Sequence, residues 1–330
     1  MMNRTPRTFR LSTRAVGLWL AIAFGFLHAP GAALGQLTIV PTFDNSIKTD
    51  PNDAIIEATI NTAIQQYRTL FTDPITVDIT FQEGGGLGSS STSIVQISYT
   101  AYRAALVTHR TSGNDSTALA FLPVQATSPV DGNTNLWLSL PNARALGLVG
   151  PPAGTDSTIT LNTSIMNLTR PPGDMTKYDL QSVSEHEMDE ALGLGSGLNL
   201  PVGFPRLSRP QDLFRYSASG VRSFTTSSSA VSYLSLDGGG TSMVGFNQSG
   251  SGDFGDWVSG SGTVRVQDAF GTAGSAPDLG VELINLDGIG YTLSSVPEPG
   301  TMLLTVAGIG AVAAARRRAR RGTVTTDTPA

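Results

Sequence analysis

Tyr178-Asp179-Leu180-Gln181-Ser182-Val183-Ser184-Glu185-His186-Glu187-Met188-Asp189-Glu190-Ala191-Leu192-Gly193 holds the start, the body and the end of one helix. The Asp179 carboxylate can accept from the free N–H groups of a first helical turn, and Gly193 or Gly195 can close the last one. The spacing predicts a helix over 180–192. His186 and Glu190 are four residues apart, hence one turn apart on one face. Val183, Ala191 and Leu194 sit near them and pack inward. Glu187, one step round, reaches the same point through a water molecule. Two side chains able to hold a cation, beside a carboxylate able to take a proton, are what metal-assisted hydrolysis needs.

On the N-terminal side the pattern is mixed. Residues 37–40 read as a short strand. Asp50-Pro51-Asn52-Asp53 starts a helix, with a capping carboxylate, a proline in the first turn and a second acid. Ile56, Ile60, Ile64, Tyr67 and Phe71 recur at helical spacing and form one apolar stripe for a sheet. Ile75, Val77, Ile79 and Phe81 alternate with polar residues, as in a half-buried strand, and Gly84-Gly85-Gly86 ends it. A second helix is expected over 99–108, and Ile159 and Leu161 mark a short strand ahead of the 180–192 helix. From about residue 216 Ser, Gly and Thr dominate. There 231–236 and 242–246, joined by Asp237-Gly238-Gly239-Gly240, read as a hairpin. Asp253 and Asp256 flank glycine-rich sequence, which serves either turns or calcium binding through carboxylates and carbonyls. The fold expected is α+β: a mixed sheet, a helix carrying the site, and a Ser/Gly-rich, β-rich part behind it.

Composition narrows the chemistry. The chain of 330 residues has no cysteine, which excludes disulfides, thiolate metal sites and a cysteine nucleophile. Its three histidines are His28, His109 and His186, so a site of three imidazoles is out of reach once the first segment is removed. Nine of the 21 basic residues and one of the 26 acidic ones lie in the two end segments. The span 36–300 therefore keeps 12 basic and 25 acidic residues, a formal charge of −13. Such a surface repels phosphate backbones and excludes nucleic acid as a partner.

The two ends are addresses. Arg4, Arg7, Arg10 and Arg14 precede an apolar stretch over 16–27, and small residues end at Ala33-Leu34-Gly35. This is the layout of a secretory signal over 1–35, its apolar run shorter than the roughly 20 residues of a membrane span, with cleavage expected before Gln36. At the other end Pro297-Glu298-Pro299 is followed by an apolar stretch over 301–315 and by Arg316, Arg317, Arg318, Arg320 and Arg321. Those three parts resemble the PEP-CTERM sorting signal of bacteria that make extracellular polysaccharide. The resemblance implies a transmembrane stretch held by cytoplasmic arginines, then cutting near the motif by an exosortase-type enzyme. The expected organisation is a signal peptide over 1–35, a mature domain over 36–293 and a sorting segment over 294–321. The product reaches the cell envelope, the outer surface or the medium, and export machinery and the exosortase are its expected partners.

The helix carries a second resemblance. Asp179-Leu180, Val183, His186-Glu187 and Ala191-Leu192-Gly193 are similar to the active-site helix of zincin peptidases, particularly metzincin-like ones with a glycine after the helix. Asp212-Leu213-Phe214-Arg215-Tyr216-Ser217 and Leu286-Asp287-Gly288-Ile289-Gly290-Tyr291 also resemble segments of metallopeptidases with PEP-CTERM tails. The resemblance implies a zincin-like fold, zinc as cofactor, His186 as a zinc ligand and Glu187 as the catalytic general base. The pattern departs where a second histidine is usual, since Glu190 stands there. Ser196 and Asn199 occupy the positions of later ligands. Carboxylate does bind zinc, so Glu190 is an expected ligand, and Asp212, Asp189 or His109 can complete the set. A set with more oxygen donors is less selective for zinc and admits manganese or calcium. The function expected is a secreted, envelope-associated zinc metallopeptidase with His-Glu-x-x-Glu in place of His-Glu-x-x-His, acting on protein substrates. The alternative is an inactive zincin-like envelope or matrix protein, with extracellular polysaccharide as a partner.

Overall fold

The computed structural model describes residues 35–199, 206–260 and 262–294. The arginine-led first segment, Pro297, Glu298, Pro299 and the stretch over 301–315 lie outside them. Among the described residues no helix is long and apolar enough to cross a membrane.

The main sheet follows from the alternation read in the sequence. Strand β1 (Thr38–Phe43) leads through a one-turn helix α1 (Asn45–Lys48) and a long helix α2 (Asp53–Leu70) to β2 (Thr76–Glu83). β1 and β2 pair in parallel, Thr38 opposite Thr76, which requires a crossover such as α2 provides. Val77, Ile79 and Phe81 are buried and the residues between them are not, while α2 buries Ile56, Ile60, Ala63, Ile64 and Tyr67. Strand β3 (Gly88–Thr92) forms the edge. Strand β4 (Ile94–Ser98) and helices α3 (Tyr99–His109) and α4 (Gly113–Ala120) come next. Strand β5 (Asn135–Ser139) pairs with β4 and runs into helix α5 (Leu140–Ala145). Strand β6 (Ser157–Leu161) then enters the main sheet between β2, to which it is parallel, and β3, to which it is antiparallel. The strand order is β1-β2-β6-β3.

Two short paired strands, β7 (Met166–Asn167) and β8 (Tyr178–Asp179), deliver the chain to helix α6 (Leu180–Leu192). Its bounds are those predicted. The Asp179 carboxylate accepts from Ser182 N–H at 2.9 Å, and Gly193 closes the helix at φ 133°, which favours glycine. α6 lies over β6 and β3 and packs against α2.

The Ser/Gly-rich part is less regular than expected. Strands β9 (Arg215–Ala218), β10 (Val221–Arg222), β11 (Tyr233–Leu234) and β12 (Val244–Gly245) make a small sheet in the order β10-β9-β11-β12. The expected hairpin is present as β11 and β12, but only two residues of each strand pair. Glycine and serine contribute little side-chain packing to a ladder, so turns take over. Helix α7 (Val281–Gly288), absent from the sequence reading, follows. The fold is α+β, with buried hydrophobic residues contiguous from Leu37 to Tyr291.

Chain entry and exit meet at one place. Leu37 N–H donates to Phe71 C=O, Thr72 N–H to Thr292 C=O, and Ser294 N–H to Leu70 C=O at 2.7 Å. Asp73 lies in this knot, 3% exposed, and accepts from Thr292 N–H at 2.9 Å. Burial is the main cause that raises its pKa from 3.8 to about 6. A carboxyl with a raised folded pKa costs stability once ionised: nothing below about pH 4, the full amount above about pH 6. Asp73→Asn keeps an acceptor for Thr292 N–H. It is expected to raise unfolding free energy at pH 7 by about 1–3 kcal/mol and to change little at pH 4. Urea unfolding at both pH values checks this, and a less stable variant at pH 7 contradicts it.

Candidate metal centre

The sheet edge and α6 together build one wall of a cleft of about 440 Å³, lined by Gly88, Ser90, Tyr178, His186, Glu187 and Glu190. β3 approaches α6 closely because residue 88 is glycine. A Cβ there would collide with Glu187 Oε1 and lie 2.8 Å from Val183. Ser90, one pleat further, donates to Glu190 Oε2 at 2.5 Å.

The opposite wall comes from the Gly-rich segment. Gly255 lies so close to the turn after α6 that a Cβ on it would sit 2.6 Å from Gly195 Cα. That approach brings Asp256 to the helix. His186 Nε2 is 3.7 Å from Glu190 Oε1 and 3.8 Å from Asp256 Oδ1. One ligand atom from each of these three residues lies within 4.8 Å of the others. The His186 ring is set by its other nitrogen, since Nδ1 lies 3.0 Å from Val266 C=O, which can only accept. With Nδ1 as donor, Nε2 is the atom turned toward the carboxylates, the arrangement usual for a metal-binding imidazole.

The electrostatics are lopsided. Glu187, Glu190, Asp253 and Asp256 converge around one imidazole. Burial opposes charge on His186, yet Asp256, Glu190 and Glu187 outweigh it and hold the pKa well above the ordinary histidine value. Burial pushes Glu187 well above the carboxylate range, and the negative charge of Glu190 adds to it. Glu187 is 4% exposed and its Oε2 has no hydrogen-bond partner. Asp256 rises to about 8, chiefly through burial, and Asp253 to about 6 through burial and then Glu190. A divalent cation among these groups would relieve all of these costs at once.

The remaining sequence candidates have other occupations. Asp212 is not brought to this group. It accepts from Ser196 Oγ at 2.6 Å, Gly197 N–H at 2.8 Å and Arg209 N–H at 2.9 Å, so both its oxygens are already used. Its neighbours form a brace: Gln211 accepts from Gly195 N–H and donates to Gly255 C=O at 2.7 Å, and Arg215 donates to Phe254 C=O. The segment 211–215 thus clamps the two loops that place Asp256. Asn199 takes part in the same wall, donating to Asp253 and accepting from Phe254 N–H. Asp189 points away from the cleft and accepts from Tyr67 O–H at 2.9 Å. Next to it Glu185 is held by Gln181 and Gln66, and burial lifts its pKa to about 7. His109 is the half-buried last residue of α3 and is not among the grouped ligand atoms. Asp253 and Asp256, read as turn or calcium residues, both face the cleft. The one sequence signal for Asp256 was an acid among glycines; that it returns to α6 depends on a contact between residues about sixty apart.

Comparison with known proteins reaches only the C-terminal end. Residues 295–321 match the PEP-CTERM protein-sorting motif. No curated protein and no solved structure matches the chain. The motif makes this an exported protein, processed at its C-terminal end by an exosortase-type enzyme and either anchored to the cell envelope or released from it.

Proposed function

We propose that this surface protein is a metal-dependent peptidase of zincin-like, metzincin-like fold, in which His186, Glu190 and Asp256 hold a divalent cation and Glu187 is the general base. The observation that carries the reading is the convergence of one imidazole and four carboxylates on a cleft, with a buried Glu187 oxygen left without a partner. The donor set fits a cation: a borderline nitrogen and two carboxylates suit zinc, and the excess of oxygen admits manganese. When bound, such a cation acidifies water and polarises a carbonyl oxygen.

The chain's own residues do the rest. Val266 C=O fixes the His186 ring, and Ser90 O–H fixes the Glu190 carboxylate. Glu187 sits one residue from the imidazole and beside Glu190, where it can take a proton from water and pass it to a leaving amine. β3 is an edge strand whose Gly88, Ser89 and Ser90 border the cleft, so an extended peptide can add to it by main-chain hydrogen bonds and pass Glu187. The mature body in this reading is 36–293, after loss of 1–35 and of the sorting segment 294–321.

Calorimetric titration of the purified, chelator-treated protein with zinc and with manganese tests the site. One equivalent per chain is expected to bind, and to raise the melting temperature, because a ligand that binds only the folded state stabilises it. His186→Ala and Asp256→Asn should abolish that uptake. Wild-type protein that takes up neither metal ends the proposal.

A further inference from the structure

Gln267 stands where no sequence pattern pointed. It is 1% exposed, and its backbone N–H donates to Glu282 Oε1 at 3.2 Å. The same carboxylate oxygen receives Trp257 Nε1–H at 3.1 Å, so the residue is fixed at its base. Its amide nitrogen lies 2.9 Å from Asp256 Oδ1 and 3.4 Å from His186 Nε2. Its amide oxygen is buried without any hydrogen-bond partner. The –NH₂ group thus touches two of the three ligand atoms, while the better metal donor of the amide has no hydrogen-bond partner.

We propose that Gln267 is a fourth, switching ligand of the His186–Glu190–Asp256 site: its –NH₂, which contacts Asp256 Oδ1 and His186 Nε2, gives way by a half-turn of the amide that offers Oε1 to a cation. This rests on the metal site proposed above. A half-turn about the last side-chain bond exchanges the nitrogen and the oxygen without moving the rest of the side chain. The exchange brings a carbonyl oxygen against Asp256 Oδ1 and His186 Nε2. Metal ligands bind in their deprotonated forms, and three deprotonated, electron-rich atoms facing one another in a buried place repel unless the cation lies between them. With the cation present the turn also ends the isolation of Oε1, which is otherwise buried without a partner. The donor set becomes one nitrogen and three oxygens, and the added neutral carbonyl suits hard cations such as manganese or calcium more than zinc.

A second role competes with this one. If the amide only supports Asp256 by donating to it, removing it also weakens binding, typically by ~10–100-fold. Gln267→Glu separates the two, because it removes the donor and keeps, with added charge, the oxygen. The purified full-length protein and its Gln267→Glu and Gln267→Met variants are titrated calorimetrically with manganese chloride and zinc chloride, with thermal melts confirming that each is folded. Gln267→Met is expected to lose ~10-fold or more in manganese affinity and less in zinc affinity, and Gln267→Glu to bind manganese more tightly than wild type. Weaker manganese binding by Gln267→Glu, or unchanged binding by Gln267→Met, overturns the ligand role and leaves the three-residue site standing. Wild-type protein that binds neither metal removes the site and this role together.

Discussion

Glu187→Gln is expected to lower the rate of peptide hydrolysis by ~10²–10⁴-fold, the usual loss when general-base help is removed. The amide keeps the size of the carboxylate but takes no proton near neutral pH. Its N–H can donate to the adjacent Glu190, as the protonated Glu187 carboxyl does, so the variant should fold about as well as wild type. Cation uptake should stay nearly unchanged, because Glu187 is not among the three grouped ligands. His186→Ala should instead lose cation and activity together. Fluorescently labelled casein with zinc or manganese supplied gives the rates, and calorimetry gives the uptake. Wild-type rates in Glu187→Gln would place the chemistry elsewhere. Casein left intact by the wild-type protein under both metals would leave a cation site without catalysis.

Trp257→Ala is expected to cost about 3–5 kcal/mol of stability, a large share of the 5–15 kcal/mol typical of a folded domain. The ring is fully buried and tilted against Phe246 with centroids 5.1 Å apart. Its Nε1–H also supplies Glu282, itself 0% exposed, so truncation leaves a cavity and removes a donor from a buried carboxylate. The effect should reach the cleft. Trp257 follows Asp256, and its backbone N–H and C=O are tied to Gln267 C=O and Ala269 N–H at 2.8 and 3.0 Å. A variant that folds is therefore expected to hold manganese less tightly. Denaturant unfolding measures the first effect; a loss below about 1 kcal/mol would mean the surroundings close over the gap.

The parts legible in the sequence were those in which a local pattern settles structure. Asp179 and Gly193 mark both ends of α6 because capping is a matter of a few neighbouring backbone groups. The stripe from Ile56 to Tyr67 and the alternation from Val77 to Phe81 likewise follow from the periods of helix and strand. His186 and Glu190 share a face for the same reason. What stayed hidden depends on long-range approach. Asp212 looks like a ligand because it is an acid downstream of the helix, yet three donors use it up, two of them brought from the turn after α6. Asp256 looks like a turn residue, and reaches the site only because Gly195 and Gly255 let two backbones touch. Gln267 carries no charge and no motif, and its place is fixed through Glu282 on α7, a helix the sequence reading missed.

The knot that joins Leu70–Thr72 to Thr292–Ser294 also sets a clearance. Ser294 is bonded to the folded body, and Pro297 follows three residues later. Fully extended, three residues span about 10 Å, close to the width of a single helix. An enzyme that cuts at the sorting motif therefore meets its target almost flush with the domain, unless the last bonds of the knot are peeled back to lengthen the leash.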